Sequence, residues 1–266
     1  MLDSLGISSE ALIFIFFFYG LIFGSFANVL IFRIPREESP IRPRSYCYQC
    51  RTQIKWYDNI PVISWCLLRG KCRKCKAAIS YRYPLVELLT GILFSLAYIQ
   101  IGFHYYLIEV ILFLFASVVC TFIDFDHMIL PDEFTLSGIV IGLLGALLNP
   151  ERAFLDAVLG VLFGGGILWM LAYIYYLISG KEGMGGGDIK LLAWIGALVG
   201  WKAIPFVIMC SAITGSVVGL LVAFKSKDGF KTAIPFGPYL VLGAVLFIFY
   251  GQKIGEWYFN LFLPGF

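Results

Sequence analysis

The stretch "YYLIEVILFLFASVVCTFI", residues 105–123, decides the fold class, because it is nineteen residues long and contains one charged residue, Glu109. A helix needs about 20 apolar residues to cross the ~30 Å hydrocarbon core of a bilayer. Six other runs of similar character lie at 11–32, 84–101, 133–148, 154–178, 203–224 and 235–251. An eighth run, 189–200, would span only about 18 Å at 1.5 Å per residue, so it must extend into its flanks or lie beside protein. With 60% hydrophobic and 14% charged residues, the chain is predicted to be an all-α polytopic membrane protein with about eight transmembrane helices.

The distribution of basic residues predicts the orientation in the membrane. The flank before the first run contains no Lys or Arg and no cleavage site follows it, so we expect a permanent helix. Residues 33–83 hold twelve of the twenty Lys and Arg residues, which places this segment in the cytoplasm. Eight helices starting from an outside N-terminus would put seventeen of the twenty inside, including Lys227 and Lys231. The net charge of +3 therefore does not indicate nucleic-acid binding, and the distribution of the charges indicates orientation. We expect the lipid bilayer, not nucleic acid, as a partner.

Three regions follow from this pattern. We expect a first transmembrane helix in 1–32, a small cytoplasmic insertion in 33–83 and a transmembrane catalytic bundle in 84–266. No sequence repeat is evident along the chain.

The cytoplasmic insertion contains two cysteine pairs of metal-binding spacing, "CYQC" and "CRKC". Their four thiols suit one tetrahedral zinc ion, and the neighbouring Lys and Arg side chains would lower the pKa values of those thiols. The four residues are Cys47, Cys50, Cys72 and Cys75. A disulfide or a redox pair is the alternative, but the cytoplasm keeps thiols reduced. The remaining cysteines, Cys66, Cys120 and Cys210, lack this spacing and are expected to be small buried residues.

Two aspartates lie where apolar runs meet the cytoplasmic side. Asp124 directly follows run 105–123, and Asp188 directly precedes run 189–200. Placing an acidic side chain at the depth of the membrane costs free energy, so such residues indicate functional sites. Two carboxylates that meet in a low dielectric share one proton, which provides one acid and one base. The pair therefore predicts activation of water as in an aspartic peptidase; for Asp188 alone, a helix N-cap is the alternative.

Three glycines, Gly185, Gly186 and Gly187, directly precede Asp188 in "GMGGGD". A backbone without side chains, able to adopt φ of either sign, allows an extended peptide to approach closely. We interpret the glycines as a substrate-approach loop, with a flexible turn as the alternative.

Other polar residues have structural or open interpretations. Asp126 is two residues from Asp124 and would face a different side of a helix. Asp132, after a proline, is predicted to cap the next helix. Asn28 is predicted to form an interhelical hydrogen bond.

Glu87 lies one turn inside an apolar run. It fits either a salt bridge with Arg82 or Arg33 or a role in substrate binding.

Taken together, several motifs resemble the bacterial type IV prepilin peptidases. They occur in the family's order across residues 24–193: "GSFANVLIFRIP", the two cysteine pairs, "NIPVISW", "RYPLVELLTG", "IDFDHMILPDE" and "GMGGGDIKLLA". The resemblance implies an inner-membrane aspartic endopeptidase that removes the leader of prepilins and type II secretion pseudopilins on the cytoplasmic side, after a leader glycine. It also implies S-adenosylmethionine-dependent N-methylation of the new N-terminus; no glycine-rich nucleotide loop is visible. The family's catalytic pair falls on Asp124 and Asp188, and its zinc cysteines on the four residues above.

Two other classes of function would also use buried acids. A transporter could bind protons or cations at the carboxylates, and a non-catalytic assembly factor could bind pilin helices. Neither needs a bare glycine run before Asp188.

Overall fold

The computed structural model describes residues 8–181, 183–225, 229 and 234–262. Within these ranges the ordered elements are helical. The α-helices are α1 (Ser9–Arg33), α2 (Ile63–Leu67), α3 (Arg82–Ile101), α4 (Tyr105–His127), α5 (Asp132–Leu148), α6 (Phe154–Ser179), α7 (Gly186–Val199), α8 (Ile204–Lys225) and α9 (Gly237–Phe262). Backbone pairing in the described part otherwise amounts to two isolated β-bridges. The all-α prediction is confirmed.

Five stretches are long and apolar enough to cross a membrane: Ser9–Arg36, Arg82–Ile101, Tyr105–His127, Phe154–Ser179 and Trp201–Lys225. Gly237–Gly251 is a shorter apolar helix. The chain is therefore a membrane protein. The figure of eight transmembrane helices is not confirmed, and spans at α5, α7 and α9 stay predictions. Lys227 and Lys231, which the charge count used, lie outside the described residues.

The chain divides into two compact units, Met1–Val119 and Cys120–Phe266. In the first unit, α1 and α3 approach through glycine. A Cβ placed on Gly20 would lie 2.6 Å from the Cα of Gly91, so only glycine permits this spacing. Asn28 Nδ2 donates to the carbonyl oxygen of Tyr83 at 3.1 Å. The interhelical hydrogen bond predicted for Asn28 is thus confirmed.

In the second unit, α7 is the central helix. All residues from Leu191 to Leu198 are buried, and α5, α6, α8 and α9 surround them. The backbones of α6 and α7 meet at Gly160 and Gly196, where any Cβ would overlap the facing chain. A helix that is apolar on every side is typical of a buried position. The expectation that the short apolar run lies beside protein is confirmed.

The polar segment between α1 and α3 contains two copies of one small backbone motif. In each copy, the amide of the first cysteine donates to the carbonyl oxygen five residues later, from Cys47 to Thr52 at 2.9 Å and from Cys72 to Ala77 at 2.8 Å. An isolated bridge closes each copy, Tyr46 with Gln53 and Lys71 with Ala78. The chain thus has an internal repeat with an offset of 25 residues. Sequence inspection missed it because only the cysteine spacing, one basic residue and one isoleucine recur.

Candidate functional site

The four predicted cysteines form a cluster. Their Sγ atoms all lie within 4.8 Å of one another, and Cys47 Sγ lies 3.7 Å from Cys75 Sγ. Four sulfurs bound tetrahedrally to zinc at about 2.3 Å are roughly 3.8 Å apart, so the cluster is already close to the geometry of that site. The thiols are free. These residues can hold a metal such as zinc, and the disulfide alternative is wrong.

The two repeated motifs, Tyr46–Gln53 and Lys71–Ala78, are called knuckles below. Each knuckle has a residue in the left-handed conformation directly after its second cysteine, Arg51 at φ 54° and Lys76 at φ 60°. This conformation reverses the chain tightly, so that the second cysteine and the first face the same point. Positive φ is uncommon outside glycine. Its recurrence at equivalent positions shows that the fold of each knuckle serves the placement of its sulfurs.

Hydrogen bonds shift the thiol pKa values in the cluster. Hydrogen bonds from the side chain and then the backbone of Thr52 lower the pKa of Cys50 to about 6. The amides of Cys75 and then Lys74 lower the pKa of Cys72. The sequence predicted that flanking Lys and Arg side chains would do this. At Cys50 and Cys72, local hydrogen bonds to sulfur are instead the principal cause, and at these two residues they favour the thiolate that metal binding requires.

The remaining cysteines differ from one another. Cys120 is buried, as predicted, Cys210 is half-buried, and Cys66 is exposed. The prediction is wrong for Cys66, which lies on the short helix α2, where little protein covers it.

Asp124 lies in the last turn of α4 and is 4% exposed. Its Oδ2 accepts a hydrogen bond from the amide of Gly237, the first residue of α9, at 3.1 Å. A Cβ on Gly237 would lie 2.7 Å from the same oxygen. Glycine at this position therefore allows the start of α9 to bind the carboxylate.

Asp188 is the third residue of α7 and is 9% exposed. The N-cap is Gly185, and the amide of Asp188 donates to the carbonyl oxygen of Gly185 at 3.2 Å. The N-cap alternative for Asp188 is thus wrong. Its carboxylate lies at a helix N-terminus, where the macrodipole stabilises negative charge. Leu130 lies against both Gly187, which precedes Asp188, and Gly237, whose amide binds Asp124, so the second unit places the two predicted aspartates around one leucine.

The three glycines have different roles from the predicted loop. Gly185 has φ −71°, and Gly186 and Gly187 already belong to α7. None of the three has positive φ, so the backbone conformation at these positions does not require glycine. A Cβ on Gly187 would lie 2.8 Å from Leu130 Cβ, whereas one on Gly186 would meet nothing within 4 Å. The run is a helix start, and close packing constrains its last member.

Leu130 and Gly237 belong to the site but were missed by sequence reasoning. The side chain of Leu130 lies against both Gly187 and Gly237, between the N-termini of α7 and α9. The available signals were the glycine-proline pair at 237–238, which is typical of a helix start, and the position of Leu130 six residues after Asp124. Neither signal by itself indicates which distant residue is the partner.

Two other acids lie near these elements. Asp126 is exposed, unlike Asp124 two residues before it, which agrees with the predicted difference in facing. Asp132 is the first residue of α5, and the N-cap is Pro131. The prediction of Asp132 as cap is therefore wrong by one position. Its carboxylate instead pairs with Lys190 Nζ at 2.6 Å.

Glu87, in the first unit, is buried and accepts a hydrogen bond from the amide of Val62 at 2.7 Å. Arg33 donates to the carbonyl oxygens of Ser39 and Pro43, so the predicted salt bridge to Arg33 is wrong. Val62 has φ 60°, which is strained for a β-branched residue.

Comparisons with known proteins match both halves of the chain. The model of the bacterial peptidase A24 N-terminal domain matches residues 18–101, and that of the type IV leader peptidase family matches residues 110–220. Three relatives are each named prepilin leader peptidase/N-methyltransferase. The protein from Aeromonas hydrophila is 39% identical over 93% of both chains. That from Pseudomonas aeruginosa is 34% identical over 97% of both. The one from Myxococcus xanthus is 41% identical over 77% of this chain and 61% of its own. No solved structure matches the chain.

Proposed function

Since this chain belongs to the type IV leader peptidase family, we propose that it is a membrane-embedded prepilin leader peptidase and N-methyltransferase, with Asp124 and Asp188 as its catalytic pair. The observation that carries the proposal is that two buried carboxylates, 64 residues apart in sequence, lie beside two helix N-termini that are both in contact with Leu130. The names of the relatives favour this reading over a transporter or a non-catalytic assembly factor.

The chemistry follows from the electrostatics of the pair. Two carboxylates that interact in a buried site hold one proton between them. The ionised member takes a proton from water, which attacks the scissile carbonyl carbon, while the protonated member donates to the carbonyl oxygen. The peptide C–N bond then breaks, the amine leaves with a proton, and no acyl-enzyme forms. The amide of Gly237 holds Asp124 in place for this reaction.

The metal has a structural role in this proposal. Zinc held by four cysteines leaves no open coordination position for substrate or water. The segment between α1 and α3 has a single five-residue α-helix and short 3₁₀ turns, so it has little core of its own. The metal then supplies folding free energy.

Methylation would follow cleavage. S-adenosylmethionine supplies an electrophilic methyl group, which a neutral amine takes while the C–S electron pair remains on sulfur, giving S-adenosylhomocysteine. The amine exposed when the leader is removed is such a nucleophile. The chain therefore needs a second site for the methyl donor besides the aspartate pair.

The substrates and location belong to the same proposal. Type IV prepilins and type II secretion pseudopilins would be cut at the cytoplasmic face of the bacterial inner membrane. The positive-inside distribution of Lys and Arg supports this orientation.

The direct test is to incubate the purified chain with a prepilin and S-adenosylmethionine, and to determine the product masses. We expect the pilin to lose its leader and to gain one methyl group at its new N-terminus. A prepilin of unchanged mass would contradict the peptidase. Cleavage without added methyl would contradict the methyltransferase alone.

A further inference from the structure

A cavity of about 700 Å³ lies within the first unit, between α1, α3 and the two cysteine knuckles. Resting on the methyl transfer proposed above, we propose that this cavity binds S-adenosylmethionine. Its volume lies within the range of roughly 300–1,000 Å³ typical of small-molecule sites. Neither Asp124 nor Asp188 is among the residues that line the cavity.

Three neighbouring aromatic rings, tilted by 47° and 54° to one another, lie in one wall of the cavity. The ring centroids of Phe32 and Tyr48 are 4.4 Å apart, and those of Tyr48 and Tyr46 are 5.4 Å apart. All three residues line the cavity. Aromatic faces stack with nucleobases, a contact of about 1–3 kcal/mol per base, and they attract cations such as sulfonium. The wall thus matches the adenine and the positive centre of the ligand.

A buried acid lines the same cavity. Glu87 is 7% exposed, and the hydrogen-bond donors to its carboxylate are the neutral amide of Val62 and the hydroxyl of Ser25. The other acid in the lining, Asp58, is already paired with Arg73. Both donors are neutral, and a buried carboxylate that lacks a cationic partner among the described residues is costly. A cationic ligand therefore binds more favourably here than a neutral one.

Two basic residues at a more exposed part of the cavity lining suit the remaining charged group of the ligand, its carboxylate. Lys55 and Lys74 both line the cavity and are exposed. Their ammonium groups suit the carboxylate of the methionine moiety. Aromatic wall, buried acid and exposed lysines together correspond to the nucleobase, sulfonium and carboxylate of one ligand. A lipid tail would leave Glu87 uncompensated.

The backbone conformation of Val62 supports the assignment of this cavity as a ligand-binding site. Its strained φ of 60° is held where its amide donates to Glu87. Strained residues concentrate at ligand-binding sites, where the surrounding fold fixes them. This contact also orients the Glu87 carboxylate, since one of its oxygens is committed to the amide.

The inference is tested by equilibrium binding of radiolabelled S-adenosylmethionine and S-adenosylhomocysteine to the purified full-length protein. Tyr48→Ala should weaken binding of both by about 5- to 150-fold, which is the stacking energy converted to affinity. Glu87→Gln should weaken binding of S-adenosylmethionine only, because S-adenosylhomocysteine has no sulfonium charge. Glutamine can still accept the Val62 amide, so this variant keeps the local fold. Zinc content is measured in each variant to verify that the knuckles are intact.

Tyr81→Ala is the matched control, since Tyr81 is 75% exposed and lies outside the cavity lining; its affinity should equal that of wild type. Wild-type affinity in both cavity variants would overturn the inference and leave the proposed function standing. Unchanged affinity with impaired prepilin cleavage would assign the cavity to the peptide and also overturn it. A wild-type protein that binds no S-adenosylmethionine would overturn the inference together with the methyltransferase half of the proposed function.

Discussion

At the scale of single residues, the catalytic proposal depends on how Asp124 is held. Its own helix ends three residues later at His127, and the C-terminal end of a helix disfavours an anion. The amide of Gly237 offsets this by donating at 3.1 Å from the start of α9. Hydrogen bonds to charged groups contribute roughly 1.5–3 kcal/mol. A glycine more than a hundred positions away in sequence is therefore part of the site.

The two adjacent glycines at the start of α7 provide a matched pair of variants. Gly187→Ala would place its Cβ 2.8 Å from that of Leu130, so α7 or Leu130 must shift beside the aspartates. Since misplacement by about 1 Å can cost 10²-fold in rate, we expect kcat for prepilin cleavage to fall at least about 10-fold. Gly186→Ala meets no atom within 4 Å and should retain wild-type kcat. Equal rates in the two variants would contradict the packing role of Gly187.

At the scale of secondary-structure elements, α7 shows where sequence reasoning succeeded and failed. The apolar run 189–200 indicated a helix, and its shortness indicated burial. That Gly186 and Gly187 also belong to the helix could not be predicted, because glycine disfavours helices by about 1 kcal/mol. Burial of the whole element against its neighbours overrides this preference. Asp132 was misplaced by one position because Pro131 can occupy either the cap or the first turn.

The knuckles lead to a prediction about metal. We expect about one zinc ion per chain, and Cys72→Ser should lose it, because three thiolates and a hydroxyl bind far less tightly. Hydrogen exchange in residues 33–83 should then rise, since the metal contributes folding free energy there. Cys66→Ser, at an exposed cysteine outside the cluster, should keep both metal and protection. Metal-free wild-type protein with normal protection of this segment would contradict the site.

A second prediction concerns the ion pair between the 3₁₀ turn Trp56–Asn59 and the second knuckle. Arg73 donates to both carboxylate oxygens of Asp58 and holds the pKa of Asp58 below its usual value of about 3.9. Asp58→Asn should destabilise the segment only slightly, because solvent screens an ion pair with the largely exposed Arg73.

Because the folded pKa is lowered, this stability is present above the unfolded pKa and is lost as the pH falls through the folded value. The free energy of unfolding of residues 33–83, measured by hydrogen exchange in denaturant, should therefore differ between wild type and Asp58→Asn at pH 7. This difference should disappear at a pH below the folded pKa of Asp58. A difference that grows on acidification would contradict the pair.

At the scale of the whole molecule, features set by neighbouring residues could be predicted from the sequence, whereas contacts between distant residues could not. Each of the eight apolar runs corresponds to a helix, because hydropathy is a property of neighbouring residues. The cysteine spacing gave the metal ligands for the same reason. The bond from Gly237 to Asp124 and the contact of Glu87 with Val62 join residues 113 and 25 positions apart. Such contacts depend on the packing of helices, which a single sequence does not encode in any local signal.

The predicted orientation can be tested by labelling intact cells with a membrane-impermeant thiol reagent. The background variant retains the four knuckle cysteines and replaces Cys66, Cys120 and Cys210 with alanine. A cysteine replacing Phe103, exposed between α3 and α4, should react from outside. One replacing Lys181, exposed after α6, should react only after permeabilisation. Labelling of position 181 in intact cells would reverse the orientation and remove the cytoplasmic active site.

The most direct test of the central claim compares prepilin cleavage by Asp124→Asn, Asp188→Asn and Asp126→Asn proteins. Asparagine preserves size and hydrogen bonding but can neither take nor give the proton, so each of the first two changes should reduce the rate by at least about 10³-fold. Zinc content should stay normal in both. Asp126 is exposed, and its variant should retain most of the activity. Substantial cleavage by the Asp188→Asn protein, or an equal loss in Asp126→Asn, would contradict the assignment of Asp124 and Asp188 as the catalytic pair.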